Sequence, residues 1–110
     1  MGGVFFYFCR KKHKMTLSEF NNAITQNSFP TNENEILKAL YYDAKGDWKS
    51  AHDIAQSQEG APEYDRLHAY LHRKEGDDWN AKYWYRRAKT TMPKVDLATE
   101  WLGLVKFYVE

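Results

Sequence analysis

The sequence predicts an all-α fold: a short α-α superhelix of about six helices, made of two helical hairpins with a capping helix at either end. Three observations carry that prediction. Apolar residues recur at three- and four-residue intervals in six stretches, and no stretch sustains the period-two alternation of a half-buried strand. A Gly-Asp pair occurs twice, at Gly46-Asp47 and again at Gly76-Asp77. Small residues flank each pair, Ala39 with Ala51 and Ala69 with Ala81, and they allow two antiparallel helices to approach closely.

The first helix is placed at about 17–26. Thr16 and Glu19 have capping-box spacing, and Leu17, Phe20 and Ile24 follow at helical intervals. A loop, Ser28-Phe29-Pro30-Thr31-Asn32, separates it from the second. Asn32 with Glu35 is the next start signal, and Ile36, Leu37, Leu40, Tyr41 and Ala44 form one stripe ending at Gly46. Asp47 caps a third helix, which carries Trp48, Ala51 and Ala55 and ends by Gly60. Pro62 fits the first turn of the fourth, where its missing N–H costs nothing. Tyr64, Leu67, His68 and Leu71 line that helix, and Gly76 closes it.

Asp77 caps the fifth helix. Its Ala81, Trp84, Tyr85 and Ala88 fall at i, i+3, i+4 and i+7, and Pro93 is its expected stop. A last helix, about 95–108, carries Leu97, Trp101, Leu104, Val105 and Tyr108 on one stripe. Leu102, Phe107 and Val109 lie off that stripe, so burial on more than one side is expected, against the second hairpin and in a homodimer.

Sliding the chain along itself until Gly46-Asp47 falls on Gly76-Asp77 also superposes Leu37 on Leu67, Ala39 on Ala69, Tyr42 on His72 and Ala51 on Ala81. The run Gly76-Asp77, Ala81-x3-Tyr85-x2-Ala88, Pro93 resembles the second half of a tetratricopeptide repeat. Trp84-Tyr85-Arg86-Arg87-Ala88 is similar to the end of a Sel1-like unit. In the first unit, Lys38-Ala39-x2-Tyr42 and Gly46-Asp47-x3-Ala51 fit, whereas Ala55 stands where an aromatic is expected. The interval from Gly46 to Gly76 is also shorter than the usual period of ~34 residues. The stretch Ala69–Asp77 further looks like a group of small uncharacterised bacterial proteins, a likeness that brings no activity with it.

Composition narrows the function classes. The 110 residues suit one domain, and 43% hydrophobic with 16% aromatic residues supply a modest core. Of the 16 Lys and Arg, Arg10, Lys11, Lys12 and Lys14 precede Met15, and no acid accompanies them. From Met15 onward, 12 basic residues face 15 acidic ones, a net charge of −3, which argues against a nucleic-acid partner. Cys9 is the only cysteine, so an internal disulfide is excluded and a reducing, cytoplasmic setting is the expectation.

Residues 1–14 read as an N-terminal extension, and residues 15–110 as one tetratricopeptide-like domain. Gly2–Cys9 (GGVFFYFC) is too short to span a bilayer, which needs about 20 residues, so no stable membrane insertion is expected. Three readings stay open for the extension: a start at Met15 or a disordered tail, a padding strand or helix, or a weak membrane-surface anchor.

In tetratricopeptide proteins the first helix of each hairpin lines a groove that receives an extended peptide. The resemblance implies that Arg66, Tyr70, Arg73 and Lys74, together with Glu63, face such a groove. The basic residues would clamp a carboxylate and Tyr70 would cover an apolar side chain. The equivalent face carries Glu33, Ile36, Leu40, Asp43 and Ala44 and is apolar enough for the first helix to cover it. The implied function is a non-catalytic domain binding a protein or peptide, itself included as a homodimer.

The alternative, a small metal- or ligand-binding protein or an enzyme, rests on His52, His68 and His72. His68 and His72 have the i, i+4 spacing that lets two imidazoles share a metal, and Asp65 lies one turn before them. Against it stands a packing role, with His72 in the slot of Tyr42. Asp47, Asp77 and Asp78 sit at helix starts, where capping explains them. No Gly-x-Ser-x-Gly elbow, phosphate loop or cofactor motif occurs, and the sequence points away from an enzyme.

Overall fold

The computed structural model describes residues 14–31 and 33–110. The extension, apart from Lys14, and Asn32, the cap expected for the second helix, lie outside the described residues. Six helices run in order: α1 (Leu17–Gln26), α2 (Glu35–Ala44), α3 (Trp48–Gln56), α4 (Pro62–Lys74), α5 (Asp78–Arg87) and α6 (Leu97–Tyr108). No strand occurs among the described residues, and none of their helices is long and apolar enough to cross a membrane.

Local chemistry fixes most of the helix ends. Thr16 and Glu19 form the reciprocal capping box at the start of α1. The side chain of Asn34 caps α2, accepting from the N–H groups of Ile36 and Leu37 at 2.8 and 3.0 Å, two residues beyond the expected cap. Asp47, Asp77 and Asp96 cap α3, α5 and α6 by accepting from Ser50, Asn80 and Thr99.

The two Gly-Asp corners are the same turn. Gly46 has φ +84° and Gly76 φ +90°, the left-handed region where glycine is favoured. The Gly46 and Gly76 N–H groups donate to the carbonyls of Asp43 and Arg73, each at 3.0 Å. The Asp47 and Asp77 N–H groups donate to those of Tyr42 and His72, each at 2.9 Å. This is the Schellman closure, with two otherwise orphaned carbonyls satisfied before the chain reverses. Ala39, Ala51, Ala69 and Ala81 are all fully buried.

Two stops differ from the sequence reading. The third helix ends at Gln56, and Gly60, at φ +98°, shapes the loop beyond it. The fifth ends at Arg87, before Pro93: Lys89 takes φ +63° and the Thr90 N–H closes onto the Tyr85 carbonyl at 3.0 Å. A backbone closure using lysine in the glycine position acts before proline is reached.

Each hairpin pairs its two helices, α2 with α3 and α4 with α5, and α3 packs on α4 to join them. The last helix packs on α2 and α4 together. Trp101 donates its indole N–H to the Leu40 carbonyl at 3.2 Å and lies 5.9 Å, centroid to centroid, from Phe20 of α1. Leu104 and Val105 enter the main core beside Leu40, Leu67, Tyr70 and Leu71. At the edge of this body the Glu110 N–H donates to the Met15 carbonyl at 2.9 Å.

Candidate functional site

The four residues expected to line a groove all bond within the chain. Arg66 and Arg73 donate to the two oxygens of Glu100 on α6, at 2.7 and 2.6 Å. Arg73 also reaches the Val95 carbonyl, and the Tyr85 hydroxyl donates to Glu100. Glu100 is 4% exposed, so this carboxylate is buried where α6 packs on α4. Tyr70 donates its hydroxyl to Asp43 Oδ2 at 2.7 Å, and the Lys74 ammonium donates to Asp43 Oδ1 at 2.8 Å. Burial and carboxylate hydrogen bonds push the Tyr70 and Tyr85 hydroxyls well above the usual phenol range. Arg66 and Arg73 are thus engaged by Glu100, and Lys74 by Asp43; the sequence reading did not single out Glu100. Its signal was present: a lone acid three residues after Leu97 and four before Leu104, on an apolar stripe.

The three histidines converge. One donor atom from each of His52, His68 and His72 lies within 4.8 Å of the others. The i, i+4 spacing on α4 stacks the His68 and His72 rings, with centroids 4.9 Å apart and 22° between planes. The packing of α3 on α4 brings His52 edge-on to both, and His52 Nε2 lies 3.0 Å from His68 Nε2. Two tryptophans hold the group. The Trp48 indole stacks on His52 at 4.6 Å and Trp84 stacks on His68 at 4.0 Å. Trp48 is fixed in turn by donating to the Leu71 carbonyl at 2.8 Å.

His72 and His68 have different second partners. His72 Nδ1 faces Glu75 Oε2 at 2.8 Å, so Nδ1 carries the proton of that hydrogen bond and orients the ring. His68 is 2% exposed, and its Nδ1 is buried with no hydrogen-bond partner. Burial, then the neighbouring histidines, pull His68 down to about 4. Burial, then His72, lowers His52 as well. Both rings are therefore neutral at pH 7 and offer lone pairs rather than positive charge.

Asp65 is not part of this group; it is buried and accepts from the Gly60 N–H at 3.0 Å, fixing the α3–α4 loop. Asp47 and Asp77 are caps, and the bonds they accept from Ser50 and Asn80 hold their carboxyls below the usual range. The sequence reading also missed Glu75, Trp48 and Trp84 as surroundings of the histidines. The chain matches no protein-family profile, no curated protein and no solved structure.

Proposed function

We propose that the chain is a small metal-binding protein that holds one zinc-type divalent ion on His52, His68 and His72. The observation that carries this reading is the convergence of three imidazoles from two helices, with His52 and His68 held neutral. Zinc binds imidazole nitrogen at about 2.0–2.1 Å, so tetrahedral ligands sit about 3.3 Å apart. The His52–His68 nitrogens are at 3.0 Å, and the third donor is within a side-chain adjustment of that spacing. The Glu75–His72 pair has the form of the carboxylate–histidine partnership that orients metal-bound imidazoles. A site without thiolate or carboxylate ligands suits Zn²⁺, Cu²⁺ or Ni²⁺ rather than Ca²⁺ or Mg²⁺.

Titration of chelator-stripped protein with ZnCl₂, followed by elemental analysis after desalting, tests the reading. One ion per chain is expected in the wild type. H72Q and H52A should each weaken binding by more than about tenfold, since losing even an outer-shell partner costs that much. Wild-type protein that retains no ion, or variants that bind as tightly, would overturn it.

One observation favours a second reading, a helical module that pairs with a second copy of itself. Trp79, Tyr83 and Arg87 recur every four residues along α5, and Trp79 is 76% exposed. Arg87 donates to the Tyr83 hydroxyl at 2.9 Å and lies over the Trp84 ring. Trp, Tyr and Arg are the residues that dominate interface energetics, and an uncovered terminal hairpin is where a helical array grows. Light scattering over a concentration range decides it: association lost in W79A is expected, and a strictly monomeric wild type removes the reading.

A further inference from the structure

We infer that the cleft between α5 and the connection to α6 binds a phosphate group carried by a small molecule. The inference is independent of the histidine site. The cleft has a volume of about 560 Å³ and is lined by Lys82, Arg86, Thr90, Thr91, Pro93 and Lys94, among others. That volume falls within the range of small-ligand sites, about 300–1,000 Å³.

The backbone explains why these groups meet. Lys82 and Arg86 are i and i+4 on α5 and share one face. The left-handed turn at Lys89 then leads into the connection, whose two threonines and Lys94 line the same cleft as Lys82 and Arg86. Three basic residues thus line a cleft that no carboxylate lines. Among the described residues none of the three forms an ion pair. Glu100 lies behind Tyr85, but Arg66 and Arg73 already engage it.

Compensation of the helix dipole accounts for Arg86, which sits in the last turn of α5. It does not account for Lys82, in mid-helix, or for Lys94, outside any helix. Like charges held four residues apart on a helix repel, and a bound polyanion reverses that cost. A guanidinium, two ammonium groups and two hydroxyls form a donor set for the oxygens of a phosphate. Met92 and Pro93 supply an apolar wall for the body that carries it. The net charge of −3 over residues 15–110 favours a small ligand over a nucleic acid.

Calorimetric titration with inorganic pyrophosphate and with phenyl phosphate tests the inference. EDTA is kept throughout, so that a bound metal cannot contribute and failure here leaves the metal reading standing. Saturable binding at one site is expected, weakened at least about tenfold in K82E/R86E. The control K49E/K106E makes the same change in net charge on exposed residues outside the cleft and should move affinity by less than about twofold. Circular dichroism confirms that both variants are folded. No saturable binding, equal weakening in the two pairs, or tighter binding of a DNA oligonucleotide than of pyrophosphate would overturn the proposal.

Discussion

At equivalent places in the two hairpins the chain sets Tyr42 and His72, then Asp43 and Arg73, beside corners whose hydrogen bonds have the same lengths, 3.0 and 2.9 Å in each. In the first hairpin, Asp43 is a buried carboxylate that accepts from Tyr70 and Lys74. In the second, Arg73 is a donor that needs a carboxylate and takes Glu100 from α6. The position of Lys38 becomes His68, buried under Trp84. The difference shows two levels of specification. Glycine, aspartate and alanine repeat the backbone, and the residues between them decide which polar groups are buried and where chemistry can sit.

Removing each buried carboxylate is the sharpest way to break that comparison. Glu100→Ala should cost about 3 kcal/mol in urea unfolding, because it strands the Tyr85 hydroxyl and two arginines at one stroke. Asp43→Ala should cost less, about 2 kcal/mol, because Lys74 is 41% exposed at its side chain and regains water. Equal losses would mean that the two networks are energetically alike.

Acid next probes the histidines where the two hairpins meet. The folded His68 titrates near 4 against an ordinary value of 6.5. The unfolded chain therefore takes up the proton first as pH falls, and stability should drop between about pH 6.5 and 4. Lowered His52 adds to the same slope. Thermal unfolding across that range should show a falling Tm, and H68Q should flatten the fall; an unchanged profile in H68Q would show that His68 is not the group responsible.

The smallest effect is expected at the corners. Gly46→Ala and Gly76→Ala each place a Cβ in open space at positive φ, so only backbone strain is added, about 1 kcal/mol at each. The two values should agree within about 0.5 kcal/mol if the corners are equivalent. A clear inequality would place an unrecognised contact at one of them.

The elements built by local chemistry were legible. Thr16, Asp47, Asp77 and the two glycines act within a few residues of themselves, and the sequence states their neighbours directly. The α2 cap was expected at Asn32 and is Asn34, because two asparagines lie within capping reach of Glu35 and the sequence does not choose between them. The stop at Lys89 was hidden because lysine rarely adopts positive φ. The fate of Arg66 and Arg73 was not legible at all. It depends on α6 crossing back over α4, which joins residues far apart along the chain. For the histidines, the spacing on α4 exposed one pair, whereas the approach of His52 required the packing of α3 on α4.

The bond from the Glu110 amide to the Met15 carbonyl has an engineering consequence. The two ends of the helical body lie side by side, so residues 15–110 can be spliced into a surface loop of a host protein without prising that loop apart.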